Sequence, residues 1–292
     1  MFTLEITANL VTKLITEQFP QWSHLPIKPV EIDGHDNRTF RLGDKMSVRM
    51  PSAQPYSAKV LKEQKWLPIL APHLSLSIPQ PIALGKPSQN YPWHWSIYKW
   101  LEGTSANALA IDDLSLQTIA LQLVNFLNEL HKIDVTDAPL SGTHNFFRGG
   151  DPAVYDFEAR SAIAELKNLI DADKAISLWG KSLSSKWNKN PVWIHGDFAV
   201  GNILVKNNQV TAVIDFGGTA VGDPACDLVI AWTFLKNKSR EIFIENLHLD
   251  SATWDRARGW ALWKACIELI KIKDKTSSAG AKHLQIIAEI LN

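Results

Sequence analysis

Apolar residues recur at near-helical spacing at Leu4, Leu10, Val11, Leu14, Ile15 and Phe19, and Pro20 closes the run, which predicts a first amphipathic helix. The pattern then shortens to the strand period. Arg38–Leu42 and Met46–Met50 flank Gly43-Asp44 and predict a β-hairpin. Pro51 and Pro55 are expected to break the chain, and Lys59–Leu70 reads as a helix with Val60, Leu61, Trp66, Leu67 and Leu70 apolar. Two further strands are expected at Pro81–Leu84, closed by Gly85, and at Trp93–Leu101, which is rich in aromatic and β-branched residues.

After Leu101-Glu102-Gly103-Thr104 the pattern becomes mainly helical. Leu116, Ile119, Leu123, Leu127 and Leu130 form one stripe, and Ile163, Leu166 and Leu169 another. Pro139–Pro152 reads as a loop. Trp193–His195, Ile203–Val205 and Val210–Asp215 read as short strands, with Lys206–Gln209 as a turn. Cys226–Leu235 and Ala261–Ile272 read as buried helices. The division predicted is a β-rich N-terminal lobe over 1–101 and a larger helical lobe over 102–292.

Composition narrows the function classes. A chain of 292 residues can bury a large core and split into two lobes. Its formal net charge is +0, which lacks the basic excess of a nucleic-acid binder. No apolar run reaches the roughly 18 residues that span a bilayer, so no membrane partner is expected. Cys226 and Cys266 have no CxxC partner and read as buried thiols. Glu5 stands early and no basic start or small-residue cleavage site is present, so a cytoplasmic location is expected.

The chemistry concentrates between His195 and Gly218. The chain reads HGDFAVGN at His195–Asn202 and VIDFGG at Val213–Gly218. Asp197 lies five positions before Asn202, and Asp215 follows thirteen later. A base followed by two oxygen ligands is the order that phosphoryl transfer from a nucleotide needs. Asp197 would take or orient the acceptor's hydroxyl proton. Asn202 and Asp215 would hold Mg2+, a hard cation that prefers carboxylate and amide oxygens to sulfur or imidazole. Gly196, Gly201 and Gly217-Gly218 let the backbone bend between these groups. His195 is assigned a packing and hydrogen-bonding role. A metal hydrolase would want a second histidine near this stretch, whereas His24, His35, His73 and His94 are scattered. A serine hydrolase would want GxSxG, which does not occur.

HGDFAVGNILV, AVIDFG and GDPACDLVIAW resemble the catalytic loop, metal-binding segment and following helix start of the aminoglycoside phosphotransferase family. DNRTFRLGD, MSVRMP, the KEQKWLPIL helix and YKWLEG fit the family order in the first lobe. The resemblance implies an α+β, bilobal, protein-kinase-like fold with ATP or GTP bound between the lobes. It also implies a basic residue on the Met46–Met50 strand that touches the nucleotide phosphates and pairs with a helix glutamate. That residue is Arg49, with Glu63 as partner. Arginine replaces the usual lysine, and its planar fork reaches phosphate oxygens bidentately. No GxGxxG occurs; the matching turn is Asp33–Arg38, where Gly34 is the only glycine and Asn37 and Arg38 are candidate phosphate contacts. Ile97–Leu101, with Tyr98 and Trp100, is the expected base-binding hinge. Asp223 before Pro224 suits a helix start, and Asp227 is expected to tie down the catalytic loop.

Seven residues separate Asp215 from Asp223, too few for the long activation segment of a protein kinase. A small-molecule hydroxyl is therefore the expected acceptor: an antibiotic such as an aminoglycoside or macrolide, or a metabolite. Ten Lys/Arg against seven Asp/Glu over 236–292 argue for an acceptor less cationic than an aminoglycoside. Trp232, Trp254, Trp260 and Trp263 have two readings, stacking surface or core packing. The alternative function is a catalytically weak, kinase-like nucleotide-binding protein.

Overall fold

The computed structural model describes residues 5–30, 34 and 36–292. Leu4 of the first apolar stripe, Asp33 of the predicted phosphate-side turn and His35 lie outside the described residues. The chain forms two compact units, one of 1–103 with 211–217 and one of 104–210 with 218–292.

In the first unit, α1 (Ala8–Gln18) is capped by the Thr7 side chain, which accepts from Leu10 N–H. Its apolar face packs Val11, Leu14 and Ile15 against Phe40, Leu42, Val48, Met50, Trp95 and Ile97 of the sheet. The strands are β1 (Ile27–Pro29), β2 (Asn37–Leu42), β3 (Met46–Pro51), β4 (Pro81–Gly85) and β5 (Trp95–Lys99), and they lie in the order β1-β2-β3-β5-β4. The predicted hairpin is β2–β3, with Leu42 opposite Met46 and Gly43 at φ +57° in the turn. The second helix, α2 (Gln54–Leu70), starts earlier than its apolar stripe suggests. Pro55 does not break the chain: it sits in the first turn of this helix, where a missing N–H costs nothing. Residues 211–217 join this unit; Val213 N–H donates to Ser77 O at 3.0 Å.

Strand alternation sorts β3 into two faces. Val48 and Met50 enter the core against α1. Ser47 and Arg49 face the other way, opposite Tyr98 and Ser96 of β5.

In the second unit β6 (Thr104–Ser105) precedes α3 (Asp113–Leu130), whose buried stripe includes Leu116, Ile119, Leu123, Leu127 and Leu130. The helices α4 (Asp156–Glu165) and α5 (Ala172–Leu183) follow. Leu169 falls between these helices and is exposed, so the stripe predicted with Ile163 and Leu166 ends early. Next come β7 (Val192–Ile194), β8 (Ile203–Lys206) and β9 (Gln209–Val213); β9 starts in the second unit and ends in the first. Ser105 pairs with Leu204. β10 (Ala220–Gly222) pairs antiparallel with β7, Ala220 opposite Ile194.

The predicted helix over 226–235 is instead a 3-10 turn, Pro224–Asp227, and a short α6 (Ile230–Thr233). Asp223 caps the turn by accepting from Ala225 N–H. The chain ends with α7 (Asn237–Leu247), α8 (Ser251–Lys271) and α9 (Ser278–Leu291). Asp250 caps α8, which starts ten residues before the apolar run that signals it. No helix among the described residues is long and apolar enough to cross a membrane.

Candidate active site

The loop after β7 carries Asp197 and is fixed from below. Asp227 is fully buried, and its carboxylate accepts the backbone N–H of His195 at 2.6 Å and of Gly196 at 2.8 Å. Burial pushes its carboxyl above the ordinary range, although His195 and the two backbone donors act against that rise. Gly196 has φ +81°, and a Cβ there would lie 2.2 Å from Gly218 O, so the loop needs glycine at this position. Gly201 meets no such demand. His195 is fully buried; its Nδ1 accepts the Asp197 N–H at 3.2 Å, the packing role expected of it. Phe198 anchors the loop by stacking on Phe126 of α3, with centroids 5.7 Å apart.

The result is a fixed carboxylate with one open side. The Asp197 side chain is 46% exposed, and Lys264 Nζ of α8 lies 2.9 Å from its Oδ1. Burial works to raise the Asp197 carboxyl, but the Lys264 ammonium outweighs it, aided by the Arg148 charge. The carboxyl is held below the usual range and stays ionised at neutral pH. Asn202 lies beside it. Its Nδ2 donates to Asp197 O at 2.9 Å and to Oδ2 at 3.3 Å. The carboxamide is thus tethered through its nitrogen, leaving its oxygen as a hard donor.

The first unit presents a second cluster. Arg49 donates to Glu63 Oε1 at 3.4 Å and to Asp215 Oδ1 at 3.1 Å. Burial of the guanidinium opposes its charge, but Glu63 and Asp215 together stabilise it and raise its pKa. Glu63 of α2 is buried and also accepts the Tyr98 hydroxyl at 2.5 Å. Tyr98 therefore directs its hydroxyl to Glu63, within the core. Trp100 lies under the Arg41 guanidinium, 4.3 Å from the ring centroid. Asn37 stands at the start of β2, opposite Pro51, and Arg38 Nη1 donates to Gly34 O at 2.8 Å.

Asp215 takes a left-handed backbone, φ +68°, which costs energy for any residue but glycine. One turn before Glu63 on α2, Lys59 pairs with Asp36 at 2.6 Å and lies against Gly217.

Each unit carries a hard oxygen donor of the kind magnesium takes: the amide oxygen of Asn202 in the second, and the half-exposed carboxylate of Asp215 in the first. Among the described residues no group of three or more His, Cys, Asp or Glu could hold a metal on its own. An ion that keeps waters and takes phosphate oxygens needs no such cage.

Sequence reasoning missed Lys264 and Arg148. Lys264 reads as an ordinary charged position on an apolar helix, 67 residues from Asp197. Arg148 sits over the Trp260 and Trp263 rings, 5.2 and 4.8 Å from their centroids. Trp232, Trp260 and Trp263 are buried and Trp254 is half-buried, in mutual edge-to-face contacts, so packing is their main role.

The chain matches the phosphotransferase enzyme family, APH, over residues 27–260. It is 25% identical over 154 residues to an aminoglycoside 3'-phosphotransferase of Escherichia coli, covering 49% of this chain and 53% of that protein. The chain thus spans about half the length of the curated relatives it matches. The structure of the GDP complex of wild-type aminoglycoside 2'-phosphotransferase-IIIa resembles it with a TM-score of 0.73 at 19% identity, over 98% of this chain and 99% of that one. A macrolide 2'-phosphotransferase from Brachybacterium faecium gives 0.62 at 19%, over 98% and 97%. At these identities the likeness shows the fold, the α+β kinase-like fold expected from the motifs.

Proposed function

We propose that this chain, which belongs to the phosphotransferase enzyme family, moves the γ-phosphoryl group of ATP or GTP to a hydroxyl of a small molecule. The observation that carries the reading is the Asp197 loop: a half-exposed, ionised carboxylate on a loop whose His195 and Gly196 N–H groups both donate to Asp227. Asp197 accepts the proton of the acceptor hydroxyl. The freed oxygen bonds to the γ-phosphorus as the bond from that phosphorus to the β–γ bridging oxygen breaks, and the nucleoside diphosphate leaves. Asn202 and Asp215 would each offer an oxygen to a magnesium ion brought by the nucleotide, which would neutralise charge on the phosphates.

Arg49 releases its hold on Asp215 to contact the phosphates while Glu63 keeps it in place. The first unit, with 1–101 at its heart, serves the nucleotide, with Ile97–Leu101 as the base-binding stretch and Asn37 at the phosphate-side turn. The second unit, within 102–292, serves the acceptor. Aminoglycosides and macrolides, named for the relatives, are the first acceptors to assay.

A second reading has one observation in its favour. Arginine stands in the strand position and bridges two carboxylates, an arrangement that also suits a weakly catalytic nucleotide-binding protein. Nucleotide turnover with small-molecule alcohols separates the two. The enzyme reading expects transfer that Asp197→Ala abolishes; equal residual hydrolysis in both proteins would establish the binding module.

A further inference from the structure

The acceptor side of the Asp197 loop is cationic. Lys264 lies 2.9 Å from the Asp197 carboxylate. Arg148 is near enough for its charge to act on the same carboxylate. Its guanidinium sits on the faces of Trp260 and Trp263. It has no carboxylate partner among the described residues.

Two elements deliver these cations. On α8, Trp260, Trp263 and Lys264 follow at helical spacing, and Tyr155 stacks on Trp263 with centroids 4.0 Å apart, which fixes that face. The loop that carries Arg148 also exposes Phe146 and Phe147.

The acids of the neighbouring elements are already engaged. Glu158 accepts the Trp263 Nε1–H at 2.8 Å. Asp156 takes Arg160 at 2.8 Å and Trp179 at 2.7 Å. Glu268 pairs with Lys271 at 2.8 Å, and Asp223 is buried against Arg256 at 2.6 Å. Lys264 pairs directly with Asp197, and the Arg148 charge acts on the same carboxylate. Once Asp197 takes a hydroxyl proton, Lys264 loses its anionic partner. An amine-rich acceptor would meet repulsion there, and a negatively charged one would meet two donors.

We infer that Lys264 and Arg148 select an acceptor that carries a negative group, a carboxylate or phosphate ester, near the hydroxyl it presents to Asp197. This rests on the phosphotransferase reading for the hydroxyl and stands apart from it for the charge. Lys264 releases Asp197 as the anionic group arrives, so binding of the acceptor frees the base. Arg148, already oriented by the two indole faces, supplies a planar pair of N–H donors at low ordering cost.

The test separates charge selection from catalysis. Three phenyl β-glycosides matched except at C6 (carboxylate, hydroxymethyl and aminomethyl) are titrated into the full-length protein with a non-hydrolysable nucleotide analogue present, and binding is read by calorimetry. The carboxylate member should bind at least tenfold more tightly than the aminomethyl member, and the gap should narrow as salt is raised. In the Lys264→Gln/Arg148→Gln variant the gap should close, and in Lys264→Glu/Arg148→Glu it should reverse. Nucleotide affinity and thermal melting report that each variant is folded.

Equal binding of the three glycosides, no binding of any, or a gap that survives both double variants would overturn the assignment. So would steady-state data in which Lys264→Gln lowers kcat equally for every acceptor and leaves KM ratios unchanged, since that would place the ammonium on the transferred group. Failure of the phosphotransferase reading has a different signature: the charge preference in binding holds, and no phosphoryl group reaches the carboxylate glycoside.

Discussion

Asp227 holds His195 through its carboxylate, which accepts the His195 N–H at 2.6 Å while its other oxygen takes Gly196 N–H. The two residues stand 32 positions apart, and the bond joins the 3-10 turn after β10 to the loop that presents Asp197. Asp227→Asn keeps the size but turns one acceptor into a donor that faces an N–H. It should cost about 1.5–3 kcal/mol of stability, the scale of hydrogen bonds to charged groups. It should also lower kcat, because the loop beneath Asp197 loosens. Chemical denaturation alongside steady-state kinetics checks both; an unchanged midpoint with full activity would refute the tether.

Lys264 sets the pH range of Asp197. The lysine charge holds the Asp197 carboxyl below its ordinary value, so the acid limb of kcat/KM should lie below the usual carboxylate range. Lys264→Met removes that charge and should move the limb to higher pH. The stability signature has the same sign: a depressed carboxyl adds stability above its unfolded value, which is lost as pH falls through the lowered folded value. A pH–rate profile with the limb unmoved would contradict the pairing.

Arg49 bridges Glu63 and Asp215 from β3. Arg49→Ala should chiefly raise the nucleotide KM, by roughly 10- to 100-fold if a charged hydrogen bond to phosphate is lost. Arg49→Lys should recover part of it. The kcat/KM split for ATP and GTP is the measurement, and a kcat loss at constant KM would refute the phosphate role.

Asp215→Ala should weaken binding of the magnesium nucleotide itself, by roughly tenfold or more, with little effect on nucleotide binding in chelator. Calorimetry with and without magnesium decides it. Equal affinity in wild type and variant would remove Asp215 from the ion.

Arg256 and Asp223 form a buried pair, 2% and 4% exposed, with Arg256 also donating to Ser185 at 3.0 Å and Thr253 at 3.1 Å. Arg256→Met strands a buried carboxylate and should cost about 3–5 kcal/mol. The Arg256→Met/Asp223→Leu variant should be less destabilised than the single change. Urea unfolding of the three proteins checks this.

Much of this was legible in the chain because it is local. Gly43 between two alternating runs marks the β2–β3 turn. The spacing from Asp197 to Asn202 is a single loop. What stayed hidden is long-range or lacks an apolar signal. α7, NKSREIFIENL, is mostly polar and buries only Ser239, Phe243 and Leu247. By contrast α5 and α9 do carry apolar faces, Ala175 and Trp179 in one and Ile287 and Ile290 in the other, that the sequence reading passes over, and Pro55 points away from the true start of α2 because proline serves both breaks and first turns. In the site, Arg49 and Asp215 meet across 166 positions and Lys264 and Asp197 across 67, distances at which no periodicity speaks. Tyr98 and Glu63 are each visible in sequence, but only strand alternation turns the Tyr98 hydroxyl toward the helix glutamate.

The proposed phosphoryl transfer requires Asp197 to take the acceptor's proton. Its most direct test is a side-by-side measurement of nucleotide affinity and phosphoryl transfer in wild type and Asp197→Asn. The asparagine variant should bind nucleotide within about threefold of wild type and show a kcat lower by roughly 10²–10⁴. Transfer at the wild-type rate by the asparagine variant would contradict it.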